Sequence, residues 1–143
     1  MKSIKISDYM NKRPVTFRYS MTIAEATERF IQSNQIGGPV IDENRHVIGF
    51  LSQQDCLIKM LEATYLNESH TRVEDVMRSE TLTVSPDGSV LDLAQQMTGA
   101  KPKLYPVVDE YNVLLGIITR LDILKAIDIQ LHSMYEEGHD RLV

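Results

Sequence analysis

Two segments carry the groups best suited to chemistry: Gly49-Phe50-Leu51-Ser52-Gln53-Gln54-Asp55 and Gly116-Ile117-Ile118-Thr119-Arg120-Leu121-Asp122. Both read Gly-x-apolar-Ser/Thr-x-x-Asp. Each follows an apolar, β-branched run and opens a helical pattern, so its hydroxyl and carboxylate stand at a strand-to-helix junction. A carboxylate there can accept hydrogen bonds from a ribose diol, while the hydroxyl and the helix N-terminal amides face a phosphate. That combination suits a nucleoside. The same spacing also describes a capping box, in which Asp sits in the first helical turn and satisfies backbone donors without any ligand. Residue types leave both readings open.

The elements that position these segments come in two copies. Asp8-Tyr9-Met10 recurs as Asp75-Val76-Met77, an offset of 67, and at that offset Thr16 falls on Thr83, Pro39-Val40-Ile41-Asp42-Glu43 on Pro106-Val107-Val108-Asp109-Glu110, and Leu57 on Leu124. A fixed internal period means a repeated supersecondary unit, each copy too short to bury a core alone. The halves must pack on each other, and a site where they meet should occur twice. Within each half, Thr22-Ile23-Ala24-Glu25 and Ser89-Val90-Leu91-Asp92 open helices with apolar positions Ile23, Ala26, Phe30, Ile31 and Val90, Leu93, Ala94, Met97. Apolar runs around polar Asp42 to His46 predict a hairpin, copied at Pro106 to Ile118. With short runs Val15-Thr16-Phe17 and Leu82-Thr83-Val84, each half reads β-α-β-β-α. The predicted fold class is α/β (α+β), with repeat 1 at 1–66, a polar linker at 67–72, and repeat 2 with a C-terminal helical extension at 73–143.

The closing helices, starting near Gln53 and Arg120, place apolar residues on more than one face: Cys56, Leu57, Ile58, Met60, Leu61, Ala63 and Leu66, then Ile123, Leu124, Ala126, Ile127, Ile129, Leu131 and Met134. Such helices are covered on more than one side. A second copy of the chain is the economical cover, so a homodimer is expected with Leu124 or Ile127 near the contact; the alternative is that the two helices cover each other within one chain. The hydrophobic fraction of 43% with 24% charged residues excludes a disordered class, and a net charge of −5 without a basic run argues against a nucleic-acid or membrane-surface binder. One cysteine, Cys56, excludes an internal disulfide and is expected to be a buried small hydrophobe in a cytoplasmic protein. No leader or membrane span is expected. His46, His70, His132 and His139 are dispersed, so no metal site is expected.

The paired Asp-x-Met openings, Thr83-Val84-Ser85-Pro86-Asp87, the Pro-Val-Val-Asp-Glu hairpin and the two Gly-x-x-Ser/Thr-x-x-Asp segments resemble tandem cystathionine-β-synthase (CBS) repeats, together called a Bateman module. The resemblance runs from about Asp8 to Ala126. It implies two β-α-β-β-α repeats packed about a pseudo-twofold axis, with two clefts that commonly bind adenosine compounds and a sensing rather than catalytic role. Carried onto this sequence, one cleft combines Thr16, Ile36, Gly37 and Gly38 with Ile118, Thr119, Arg120 and Asp122. The other combines Thr83, Lys103, Leu104 and Tyr105 with Leu51, Ser52 and Asp55. The first is expected to be the tighter, since Gly37-Gly38 admits close backbone approach and Arg120 adds a positive charge for phosphate; alternatively Gly37 is only a helix C-cap and Arg120 only solvated. Repeat 1 departs from the pattern in carrying Arg18-Tyr19-Ser20 where repeat 2 has Ser85-Pro86-Asp87. Tyr105 either fills its own cleft or stacks on a base.

The resulting expectation is a stand-alone Bateman module, not an enzyme and without a resident cofactor. Its effector would be AMP, ADP, ATP, S-adenosylmethionine or NAD, and its occupancy would be passed in trans to an unidentified effector protein. A non-catalytic dimerisation module with vestigial clefts is the alternative. An enzyme acting on bound nucleotide would need a base or metal site that the sequence does not provide.

Overall fold

The computed structural model describes residues 4–66 and 70–142, with side chains of the last helix described as far as Glu136. Part of the expected linker, 67–69, lies outside the described residues, as do the side chains of Glu137 and His139. Helix α1 spans Ile23–Ser33; Thr22 caps it by accepting the Glu25 amide at 3.1 Å, and Ile23, Ala26 and Phe30 form its buried face. Ile31, grouped with them by spacing, is instead 68% exposed. The helix ends at Asn34, in the left-handed conformation with φ 58°. Asn34 and not Gly37 is therefore the C-cap, and no glycine among the described residues has a positive φ.

Gly37 and Gly38 lie in β1 (Gly37–Ile41), paired antiparallel with β2 (Val47–Ser52), and α2 (Gln53–Leu66) follows at once. The second half has a single-turn α3 (Val73–Val76), α4 (Val90–Met97), β3 (Leu104–Val108), β4 (Leu114–Thr119) and α5 (Arg120–Leu142). Ser89 caps α4 by accepting the Asp92 amide. Pairing registers repeat at the same offset: Gly37 faces Ser52, and Leu104 faces Thr119. The first strand of each repeat is reduced to one parallel bridge, Phe17 to Val40 and Val84 to Val107. Around it Phe17 N–H donates to the Pro39 carbonyl at 3.1 Å and Ile41 N–H to the Phe17 carbonyl at 2.9 Å.

Each hairpin turn is held by its aspartate. Asp42 Oδ1 accepts from the amides of Asn44 and His46, and Asp109 Oδ1 from those of Tyr111 and Val113. The backbone bond from His46 chiefly holds the Asp42 carboxyl below its ordinary pKa. The hairpins then meet, because Val47 N–H donates to the Asn112 carbonyl and Leu114 N–H to the Arg45 carbonyl. These pairs exchange at the offset of 67, so they mark the pseudo-twofold axis. Ile41, Val47, Leu114 and Val108 pack beside it.

The opening of each repeat belongs to the body of the other. Ile4 and Ile6 pack into the core of repeat 2 with Val90, Leu93, Tyr105 and Ile118, whereas Val73, Val76 and Met77 pack with Phe17, Phe30 and Leu51 of repeat 1. Asn11 pairs with Ile117 and Arg78 with Phe50. This exchange joins two half-cores, neither of which could bury enough apolar surface alone. Cys56 is buried in the repeat 1 core; loss of hydration there raises its thiol pKa, against a hydrogen bond with Thr27.

Candidate functional site

At both strand-to-helix junctions the hydroxyl and carboxylate form a reciprocal cap. Thr119 Oγ1 accepts from the Asp122 amide at 3.2 Å, and the Thr119 amide donates to Asp122 Oδ2 at 2.9 Å. Ser52 and Asp55 do the same at 3.1 and 3.3 Å. These bonds engage one oxygen of each carboxylate, and a carboxylate has about four lone-pair sites. Capping and ligand binding are thus compatible at one residue. The first helical amides are also engaged: Gln53 N–H donates to the Ile36 carbonyl and Arg120 N–H to the Lys103 carbonyl, both at 2.9 Å. The basic side chains lining the clefts add further groups able to face an anion.

Two clefts lie where the repeats meet. One, of about 590 Å³, is lined by Ile36 of repeat 1 and by Thr119, Arg120 and Asp122 of repeat 2, joined by Asn11, Asn34, Gln35, Lys103 and Lys125. The other, of about 580 Å³, gathers Ser52, Lys103 and Leu104 with Gly37, Phe50, Gln53, Gln54, Arg78, Glu80, Thr81 and Lys101. Each cleft therefore carries three basic side chains and one acidic residue in a chain of net charge −5. None of these cations takes part in an ion pair among the described residues. Thr81 Oγ1 in the second cleft is buried without a hydrogen-bond partner. An unpartnered hydroxyl of that kind costs about 1–3 kcal/mol and remains able to bond a ligand.

The duplicated framework and the two matched clefts agree with a comparison against known families, in which the CBS domain model matches residues 6–62 and again 73–129. The chain belongs to the CBS domain family. Among solved structures, this CBS pair superposes on CBSX2 from Arabidopsis thaliana with a TM-score of 0.80 at 26% identity, covering 92% of this chain and 99% of that one. CBSX2 in complex with AMP matches at TM-score 0.76 and 27% identity, over 90% and 98% of the two chains. The CBS domain pair of protein MJ0100, in complex with 5'-methylthioadenosine and S-adenosyl-L-methionine, matches at TM-score 0.75 and 26% identity, over 90% and 99%. An uncharacterized protein of Methanocaldococcus jannaschii, MJ0188, is 30% identical over 126 residues, 87% of this chain. The chain spans 44% of that relative's length.

Several residues assigned to clefts from the family pattern lie elsewhere in this CBS pair. Thr16 does not line the Thr119 cleft; its carbonyl accepts from Arg29 Nη1 at 2.6 Å. Thr83 lines a separate depression with Ser85, Asp87, Asp109 and Glu110 rather than the Ser52 cleft. Leu51, Ile118 and Tyr105 are buried in the two cores, so the Tyr105 ring neither fills a cleft nor stands open for stacking. Asp55 is held by its cap and does not line the Ser52 cleft.

Gly37 lines the Ser52 cleft instead of the Thr119 one, and neither cleft is lined by Gly38. Their lack of a side chain has internal causes. A Cβ on Gly37 would lie 2.7 Å from the Phe50 ring, and one on Gly38 would lie 2.8 Å from the Val15 carbonyl. The Arg18-Tyr19-Ser20 departure leaves the turn intact, since Met21 N–H donates to the Arg18 carbonyl as Gly88 N–H does to Ser85. Sequence reasoning missed Arg78, Lys101, Asn11 and Lys125. Arg78 and Asn11 reach the clefts only because the openings are exchanged, which spacing along one repeat does not reveal.

Among the described residues no group of three or more His, Cys, Asp and Glu is placed to hold a metal, and no helix is long and apolar enough to cross a membrane.

Proposed function

We propose that this CBS pair is a regulatory ligand-sensing module that binds AMP or a related adenosine compound in the clefts between its repeats. The observation carrying this reading is the concentration of basic side chains at both clefts of an acidic chain, beside a carboxylate that retains free lone pairs at Asp122. Arg78, Lys101, Lys103, Arg120 and Lys125 would meet phosphate, and Asp122 with Thr119 would meet ribose. The adenosine ligands in the CBSX2 and MJ0100 structures support the choice of ligand class. Binding would bias the relative packing of the two repeats, and a partner protein would read that bias without catalysis by this chain.

Exposed apolar residues on α2 and α5 favour assembly as well. Leu57, Leu61, Leu66, Leu124, Ile129 and Leu131 are each more than half exposed. A homodimer joined through these faces would serve the sensing reading and equally a pure interaction module with unused clefts. Calorimetric titration with AMP and with S-adenosylmethionine, ADP, ATP and NAD separates the two: sensing requires saturable binding of at least one of them with up to two ligands per chain, and the interaction module requires none.

A further inference from the structure

Lys103 and Ile36 occupy equivalent positions, 67 residues apart, each directly before the first hairpin strand of its repeat. β1 and β3, the strands that follow them, adjoin. The backbone of each is pinned by its carbonyl, which accepts the first amide of α2 or α5. Both residues line both clefts, and among the described residues no other does. The position is therefore shared by symmetry, yet it carries an aliphatic side chain in one repeat and an ammonium in the other. Lys103 is exposed and has no ion-pair partner among the described residues.

We propose that Lys103 is a single cation serving two clefts, so that a phosphorylated ligand in one weakens binding of a phosphorylated ligand in the other. An ammonium on a flexible stem turns toward whichever phosphate arrives first, and the second phosphate then meets a neutralised partner and a like charge nearby. Coupling of this kind is reciprocal, whichever cleft fills first. It requires phosphate and vanishes for an uncharged nucleoside. The inference rests on the adenosine-ligand reading and specifies how its two clefts communicate.

The test uses AMP and adenosine with the full chain, reading the amide NMR signals of Gln54 and Leu121, one per cleft. In single-cleft variants, Asp122→Ala or Ser52→Ala, the remaining cleft should bind AMP about fivefold more tightly than the second-filled cleft of the intact protein. Adenosine should show no such gain. Lys103→Met should remove the gain for AMP, and Ile36→Lys, which gives each cleft its own ammonium at an exposed position, should remove it in an otherwise intact chain. Independent filling by AMP, or coupling that survives Lys103→Met, overturns the shared cation while leaving the ligand reading standing. Failure of AMP to bind overturns the shared cation, and failure of the other adenosine compounds as well overturns the ligand reading with it.

Discussion

Asn11 of the first repeat and Gly116 of the second are in backbone contact. Asn11 exchanges hydrogen bonds with Ile117, donating at 2.8 Å and accepting at 3.0 Å, and a Cβ on Gly116 would lie 2.5 Å from the Asn11 carbonyl oxygen. Gly49 meets Met77 and Arg78 in the same way. The glycine that opens each candidate motif is thus required by the exchanged segment of the other repeat. Gly116→Ala and Gly49→Ala should each cost about 1–3 kcal/mol in a denaturant melt. Gly99→Ala, where the nearest atom would be 3.8 Å away, should be nearly neutral.

The repeat architecture was legible because it rests on local signals. Thr22 and Ser89 cap helices where a hydroxyl three residues before an acidic residue predicts a cap, and the two hairpins fall on the β-branched runs. The starts of α2 and α5 at Gln53 and Arg120 follow from the same reasoning. The site was only partly legible. Ser52, Lys103 and Leu104, and Ile36, Thr119, Arg120 and Asp122, do gather in two clefts, whereas Thr16 and Thr83 do not. Which wall a residue from an opening joins depends on long-range exchange between halves, and no periodicity along one repeat encodes that. Arg78 and Lys101 join Lys103 in the Ser52 cleft, which thus holds as many cations as Arg120, Lys103 and Lys125 place in its counterpart, so charge does not rank the two.

At Asp122 the cap and the proposed ribose contact use different lone pairs, so both should be lost together in Asp122→Ala. The expected cost is about 0.5–2 kcal/mol of apo stability and about 1.5–3 kcal/mol of AMP affinity. Denaturant melts and calorimetry on this variant measure the two separately. A stability loss with unchanged AMP affinity would leave the residue a cap alone.

Arg120 lines the Thr119 cleft without an ion-pair partner among the described residues. Arg120→Ala should weaken AMP by about 1 kcal/mol and leave adenosine almost unchanged, because only the phosphate meets the guanidinium. Equal losses for the two ligands would mean that Arg120 shapes the cleft instead of contacting phosphate.

Assembly can be read from mass. Leu124 is 63% exposed, while its neighbour Ile127 already packs against the repeat 2 core, which makes Leu124 the better probe of an outer contact. Light scattering coupled to size exclusion should return twice the 16.3 kDa of one chain, and Leu124→Glu should shift it toward one. A monomer mass for the unmutated chain at micromolar concentration would contradict the proposed dimer.

The most direct test of ligand sensing is a thermal-shift panel of AMP, ADP, ATP, S-adenosylmethionine and NAD against the intact chain. A ligand that binds only the folded state adds about 2.7 kcal/mol when present at ~100 times its dissociation constant. For a chain of this size that raises the midpoint by roughly 5–10 °C. At least one adenosine compound should produce such a rise, and Asp122→Ala should diminish it. Unchanged midpoints across the panel at millimolar ligand would contradict the sensing account and leave a module whose working surface is the exposed faces of α2 and α5.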